Sequence, residues 1–465
     1  MPDKPAPPQK KINKHEPPVP EPMQLSATAP NNQNNYNHIF GLIYGVLICG
    51  FFLLTPWDRM WAEYLWMVIA IISMGQLVLH KVKKEVMPLP KEFKKLIYIF
   101  ILIPTVSIIS FVFSPLDNLS TELLEPDSRW LLFIPIVIAV YRSQINPNWV
   151  LAALVIYCVS AFSKGFIDTN YATELWRRAW GDENPNPFGM FNSMITLMLM
   201  AFLLSPGKKT FDQSKFKYPL IILISISIAL GILSTYFTGT RTALFLIGAG
   251  VLLHLLLNLK SKNTWFIFGT IIVCTAAFLA SPTGQPLQKR IISIPVNAIT
   301  FFNVGDRKSK LVSTGQRLEQ WRGSICVFKK HPLHGTGPRS ARNAFALYGG
   351  EEACNLTLSV KPGPRQTHSL FFNTLLTLGI VGILIFGVFF FQIFNIAKHT
   401  YKQTSPWQKV GGLILFMYLL GMAINGIGLD MWFRNYMVNK NLMALLLPLI
   451  IIAWQTPTKI PDKAS

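Results

Sequence analysis

Residues 220–237 read LIILISISIALGILSTYF, with no charged side chain. A run of about 18 residues, helical at 1.5 Å per residue, approaches the hydrocarbon thickness of a bilayer. It is too long and too uniformly apolar for the half-buried helix of a water-soluble domain. The same kind of run recurs about twelve times, near 38–55, 64–80, 96–114, 129–141, 149–163, 188–205, 219–237, 242–259, 264–281, 369–396, 410–427 and 441–455. Lipid offers no partner to backbone N–H and C=O groups, so single apolar runs cross it as helices. The fourth and fifth runs are short and suit tilted or partly re-entrant segments. Composition agrees: 51% of residues are hydrophobic, 14% are charged, and the mean hydropathy of +0.37 is that of an integral membrane protein.

The expected fold is therefore an all-α integral membrane protein, a polytopic bundle of about twelve helices. One large, partly helical loop separates the ninth and tenth runs. The expected organisation is a disordered cytoplasmic tail at 1–36, spans one to nine at 37–281, a periplasmic loop at 282–367, spans ten to twelve at 368–455, and a short cytoplasmic tail at 456–465. The first 36 residues are polar, Pro-rich and Lys-containing, so they do not read as a signal peptide.

Cations set the orientation. With the N-terminus inside, Lys4, Lys10, Lys11 and Lys14, the segments 81–95, 208–217, 260–262 and 398–409, and Lys459 and Lys463 all fall on the cytoplasmic side. The short loops opposite are poor in Lys and Arg, as the positive-inside rule requires. Both termini are then cytoplasmic. Much of the formal net charge of +21 lies in the long outward loop, which carries Lys289, Arg290, Arg307, Lys308, Lys310, Arg317, Arg322, Lys329, Lys330, Arg339, Arg342, Lys361 and Arg365. Its acids are Asp306, Glu319, Glu351 and Glu352. Long loops translocate largely regardless of charge. A basic surface facing away from the cytoplasm suits an anionic partner at the membrane rather than nucleic acid.

Of the five cysteines, Cys49, Cys158 and Cys274 lie in apolar runs and suit packing. Cys326 and Cys354 share the outward loop, where an oxidising compartment would let them pair. No Cys/His spacing fits a zinc site, and no metal or cofactor is expected. Within the loop, Leu318, Trp321, Ile325 and Phe328 form one apolar stripe on a helix that Pro332 and Gly335 end. Such a helix suits the membrane interface, and its arginines could simply meet lipid headgroups.

Two residues stand out against this background. Arg241 sits in the connection between two adjoining spans, in TGTRTALF, where a cation near hydrocarbon costs about 2.5–3.5 kcal/mol. His368 stands at the mouth of the tenth span. A lone histidine there is more often an interfacial polar residue than a catalyst. His331 and His334 flank a turn and read as structural, and His254 lies toward the cytoplasmic end of its span.

Three stretches in order, TGTRTALF, GQRLEQWRGSICVFKKHPLHGTGPRSARNAF and THSLFFNTLLTLGIVGIL, resemble the O-antigen ligase and O-antigen polymerase superfamily of polytopic glycosyltransferases. The stretch ENPNPFGMFNSM (183–194) resembles one seen upstream in that family. The resemblance covers roughly residues 180–400 and is closest to the ligase. It implies an undecaprenyl-diphosphate glycan as donor, lipid A–core oligosaccharide as acceptor, and the periplasmic face of a bacterial inner membrane as the place, without nucleotide or metal. By motif it makes Arg241 and Arg317 contacts for the donor diphosphate, with Arg322 and Arg434 as further candidates, and His368 the group acting at the acceptor hydroxyl. Asp430, in GLDMWFRN, is a candidate carboxylate behind the histidine; a topological role is the simpler reading.

The same superfamily leaves two alternatives: a polymerase, which transfers a growing chain onto another lipid-linked unit, and a protein O-oligosaccharyltransferase. The twelve runs, the single basic loop and the short C-terminal tail favour the ligase. A transporter would also explain a membrane arginine, but the chain has no internal repeat and no matched pair of interrupted spans.

Overall fold

The computed structural model describes residues 32–82, 89–116, 119–170, 184–203, 214–257, 313–348, 367–428 and 435–454, with isolated positions between them. The described residues are all-α: α1 (Asn32–Leu54), α2 (Arg59–Val82), α3 (Lys91–Val112), α4 (Glu125–Ser143), α5 (Asn148–Asn170), α6 (Pro185–Met200), α7 (Lys217–Thr238), α8 (Arg241–Leu257), α9 (Ser313–Lys330), α10 (Ala341–Tyr348), α11 (Leu370–Tyr401), α12 (Pro406–Gly428) and α13 (Asn435–Trp454). Eight of these are long and apolar enough to cross a membrane: α1, α2, α3, α5, α7, α11, α12 and α13. They coincide with eight of the expected runs, so the chain is a polytopic all-α membrane protein. The fourth run lies in α4, whose ends carry Glu125, Asp127, Arg129 and Arg142. The sixth and eighth lie in shorter apolar helices, α6 and α8. The ninth run, residues 1–31 and the C-terminal tail lie outside the described residues. α1 begins at Asn32, nearly two turns earlier than its apolar run implies.

Burial sorts the helices into centre and rim. The apolar window of α13 is 89% buried, whereas those of α2 and α7 are 28% buried. α6 is enclosed along nearly its whole length, from Pro185 to Leu199. α7 instead turns Tyr218, Ile222, Leu223, Ile226 and Leu233 outward. An apolar surface of that extent is what a lipid-facing helix presents. Small residues let the central helices approach closely: a Cβ at Gly231 or Gly250 would run into Thr196 or Leu197 of α6. Polar side chains stitch the interior. Asn192 donates to Ser234 Oγ at 2.8 Å, and Tyr157 donates to Asn192.

α11 is not one straight helix. Gly379 has φ 64° and ψ −157°, a backbone state in essence open only to glycine, and it breaks the helix nine residues in. The break frees backbone groups that the HPLHGTG segment takes up. Thr336 N donates to Leu376 O at 3.0 Å, and Gly337 N donates to Thr377 O at 3.0 Å. In return, Ile380 N donates to Pro332 O at 2.9 Å and Val381 N donates to Leu333 O at 3.3 Å. Gly335 and Gly337 have positive φ, and a Cβ on Gly335 would stand 2.5 Å from Thr377 O. Ser110 and Ser114 of the α3 end close the clip, donating to the carbonyls of His334 at 2.5 Å and Thr336 at 2.6 Å. The glycines of both motifs therefore meet one another at a single joint between loop and helix.

Two further ties hold the loop. Cys326 and Cys354 form a disulfide. Arg339, itself at φ 53°, reaches the carboxylate of Asp127 at 3.4 Å and the carbonyl of Leu123, on the first turn of α4 and just before it. His331 bonds Tyr348 at 2.9 Å through Nε2, within the loop.

Candidate functional site

Arg241 opens α8 two residues after a left-handed Gly239 (φ 59°) that ends α7. The turn is held from the side by the NPNP segment. Asn184 caps α6 by accepting from Asn186 N, and Pro185 occupies the first turn, where a missing N–H does no harm. Thr240 Oγ1 donates to Pro185 O at 3.0 Å, and Thr238 Oγ1 donates to Thr240 Oγ1 at 3.0 Å. Gly189 is required here, because a Cβ would stand 2.9 Å from Thr240 Oγ1. The upstream motif thus serves as a seat for the turn that carries Arg241.

α9 presents its residues differently from the expected amphipathic scheme. Its buried face is small and polar: Glu319, Gln320, Gly323 and Ser324, with Val327. The apolar stripe lies opposite, with Ile325 41% exposed and Leu318, Trp321 and Phe328 half-buried. A helix lying on a membrane surface would turn such a stripe outward. Arg317 and Trp321, one turn apart, lie along one flank of the buried face, and Arg322 lies along the other. Arg322 is exposed and pairs with Glu319 at 2.8 Å. Arg317 is half-buried. Burial, and then the charge of Arg241, pull its guanidinium below the ordinary arginine value. The charge of a residue some 75 positions away in the chain thus acts on Arg317.

His368 adopts a left-handed backbone, φ 52°, which for a residue with a Cβ costs roughly 1–2 kcal/mol. Its neighbours enforce it. Thr367 and Ser369 are buried, and Thr367 Oγ1 donates across the histidine to Ser369 O at 2.9 Å. Ser369 Oγ donates to Gly426 O of α12 at 3.1 Å. On the other side, Trp321 Nε1 of α9 donates to Thr367 O at 3.2 Å. The indole also stacks on Phe372, with centroids 5.0 Å apart and planes at 16°.

These contacts close on themselves. Trp321 joins α9 to the 367–369 turn, and Ser369 joins that turn to the end of α12. Gly428 of α12 packs against Thr242, where a Cβ would lie 3.0 Å from its Oγ1, and Thr242 adjoins Arg241. The charge of Arg241 in turn is felt at Arg317 on α9. Arg241, Arg317 and His368 thus belong to one ring of four segments at one end of the bundle. Such a ring can bind a multiply charged anion between its guanidinium groups, which match phosphate oxygens in bidentate fashion. A histidine on such a ring can also accept a proton, since that side chain ordinarily titrates near neutrality.

Arg322 stands outside the Arg241–Arg317 pair. Arg434 and Asp430 lie outside the described residues. Sequence reasoning missed Glu319, Thr367, Ser369 and Gly426 as parts of this neighbourhood; no local pattern marks a hydroxyl that holds a turn from a distant helix.

Residues 226–387 match the family model described as O-antigen ligase. That stretch runs from within α7 to within α11 and contains Arg241, Arg317, Arg322, the HPLHGTG clip, His368 and the Gly379 break. No curated protein matches the chain.

Proposed function

Since the chain is, over residues 226–387, a member of the O-antigen ligase superfamily, we propose that it is the ligase itself. In this reading it moves O-antigen polysaccharide from undecaprenyl diphosphate to lipid A–core oligosaccharide. Membership already assigns a multi-pass, glycosyltransferase-like membrane enzyme of O-antigen processing in lipopolysaccharide biosynthesis. The observation that carries the finer reading is the run of contacts that joins the segments bearing Arg317, His368 and Arg241: Trp321 to Thr367, Ser369 to Gly426, and Gly428 against Thr242.

The donor's diphosphate lies between the two guanidiniums, with its polyprenyl chain along the apolar helix faces. The acceptor hydroxyl oxygen attacks the anomeric carbon as the bond from that carbon to the diphosphate oxygen breaks. The bonding pair leaves with the diphosphate, whose growing charge the arginines stabilise. His368 takes the hydroxyl proton as the new glycosidic bond forms. Arg322 and Arg434 are further contacts for the same anion. The site faces the periplasm across the inner membrane, both termini are cytoplasmic, and 282–367 is the periplasmic loop. Cation distribution supports that orientation.

The test is the lipopolysaccharide of cells lacking the protein. A core-only band, with glycan accumulating on the lipid carrier, is expected. A core bearing one repeat unit would make the protein a polymerase. An unchanged ladder beside an unglycosylated secreted protein would make it a protein transferase.

A further inference from the structure

We infer that Trp321 is a positioning residue for His368, acting through the carbonyl of Thr367. The inference deepens the reading above, because it takes His368 as the proton acceptor. Trp321 belongs to the stripe that its spacing marks as apolar, yet its polar atom does specific work. The indole N–H donates to Thr367 O at 3.2 Å, the carbonyl of the peptide that leads into His368. The ring lies nearly parallel to Phe372, one turn into α11 from the histidine. The indole is thus fixed at its face by the helix and at its edge by the turn.

That placement matters because of the backbone it holds. His368 sits at φ 52°, a conformation that its side chain disfavours. Such a conformation persists where its surroundings over-determine it. Here three bonds do so: Trp321 to Thr367 O, Thr367 Oγ1 to Ser369 O, and Ser369 Oγ to Gly426 O. The last two anchor the turn to itself and to α12. The first is the one among these three that ties it to α9, the helix carrying Arg317. Trp321 therefore sets the imidazole relative to the diphosphate contact one turn earlier on its own helix. Displacement of a catalytic group by a fraction of an ångström weakens the transition state more than ground-state binding.

Trp321→Phe keeps an aromatic ring against Phe372 and removes the N–H. With purified enzyme and lipid-linked donor, kcat should fall on the order of tenfold, while donor affinity stays at the wild-type value and the melting temperature falls by no more than a few degrees. Phe372→Leu, which removes the stack and keeps the N–H, should cost less in kcat. Wild-type kcat in Trp321→Phe, or a loss of donor affinity equal to the loss in kcat, would overturn the assignment. His368→Ala, run alongside, separates the two levels. An inactive His368→Ala with an unaffected Trp321→Phe refutes the positioning role alone. A fully active His368→Ala refutes the base assignment and the positioning role with it.

Discussion

Replacing Gly379 with alanine tests whether the loop and the broken helix form one unit. A Cβ there would lie 2.5 Å from Leu333 O, 2.6 Å from Leu333 C and 2.8 Å from Gly335 N. All three are backbone atoms, so no rotamer change relieves the clash. The residue's φ and ψ add strain of about 1–3 kcal/mol for any side chain. Moving the clip away to make room weakens four backbone hydrogen bonds, each worth about 0.5–1.5 kcal/mol net. With partial loss of these bonds, the substitution should destabilise the protein by about 3–5 kcal/mol. The same helix supplies its own control. A Cβ at Gly387 meets nothing within 4 Å, so Gly387→Ala should be neutral or stabilise by about 0.5–1 kcal/mol. Thermal unfolding of both variants in detergent, followed by tryptophan fluorescence, measures the difference. A Gly379→Ala protein that melts with Gly387→Ala would refute the joint.

The Cys326–Cys354 bridge closes a loop of 28 residues, so Cys326→Ser should cost about 3–4 kcal/mol in unfolding measurements. Arg322→Ala should lower stability by about 1 kcal/mol, because buried Glu319 loses a partner, and weaken donor affinity far less than Arg317→Ala in a binding titration. Burial, with His334 and Lys330 adding positive charge, pulls the pKa of His331 below its ordinary value. The folded state then binds fewer protons than the unfolded one, so this contribution is present above about pH 6.5 and is lost as pH falls below it. Melting temperatures of His331→Gln should fall less than wild type between about pH 7.5 and 5.5.

The helices were legible because a span needs little beyond a sustained apolar run, and each of the eight long apolar helices coincides with one. The turn bearing Arg241 was legible for the opposite reason: a cation between two spans has few innocent explanations. The joint at Gly379 was not. The glycines of HPLHGTG and GIVG read as separate motifs, and their need for positive φ arises from pairing between segments some 40 residues apart. The face of α9 was half legible. The apolar stripe is there, but the buried face is the small, polar one, since that side packs closest to the protein. The left-handed backbone at His368 had no local signal, because the groups that impose it come from α9 and α12.

The central claim is that Arg241 and Arg317 together receive a diphosphate. It is tested most directly by the affinity of the purified protein for undecaprenyl diphosphate in detergent, with the corresponding prenyl alcohol as the uncharged control. Loss of one charge-assisted contact is worth about 1.5–3 kcal/mol. Arg241→Ala and Arg317→Ala should therefore each weaken diphosphate binding by roughly 10- to 150-fold, and Arg241→Lys should recover only part, for want of the bidentate fork. Binding of the alcohol should not change. If the double alanine variant binds undecaprenyl diphosphate as tightly as the wild-type protein does, the two arginines do not hold it.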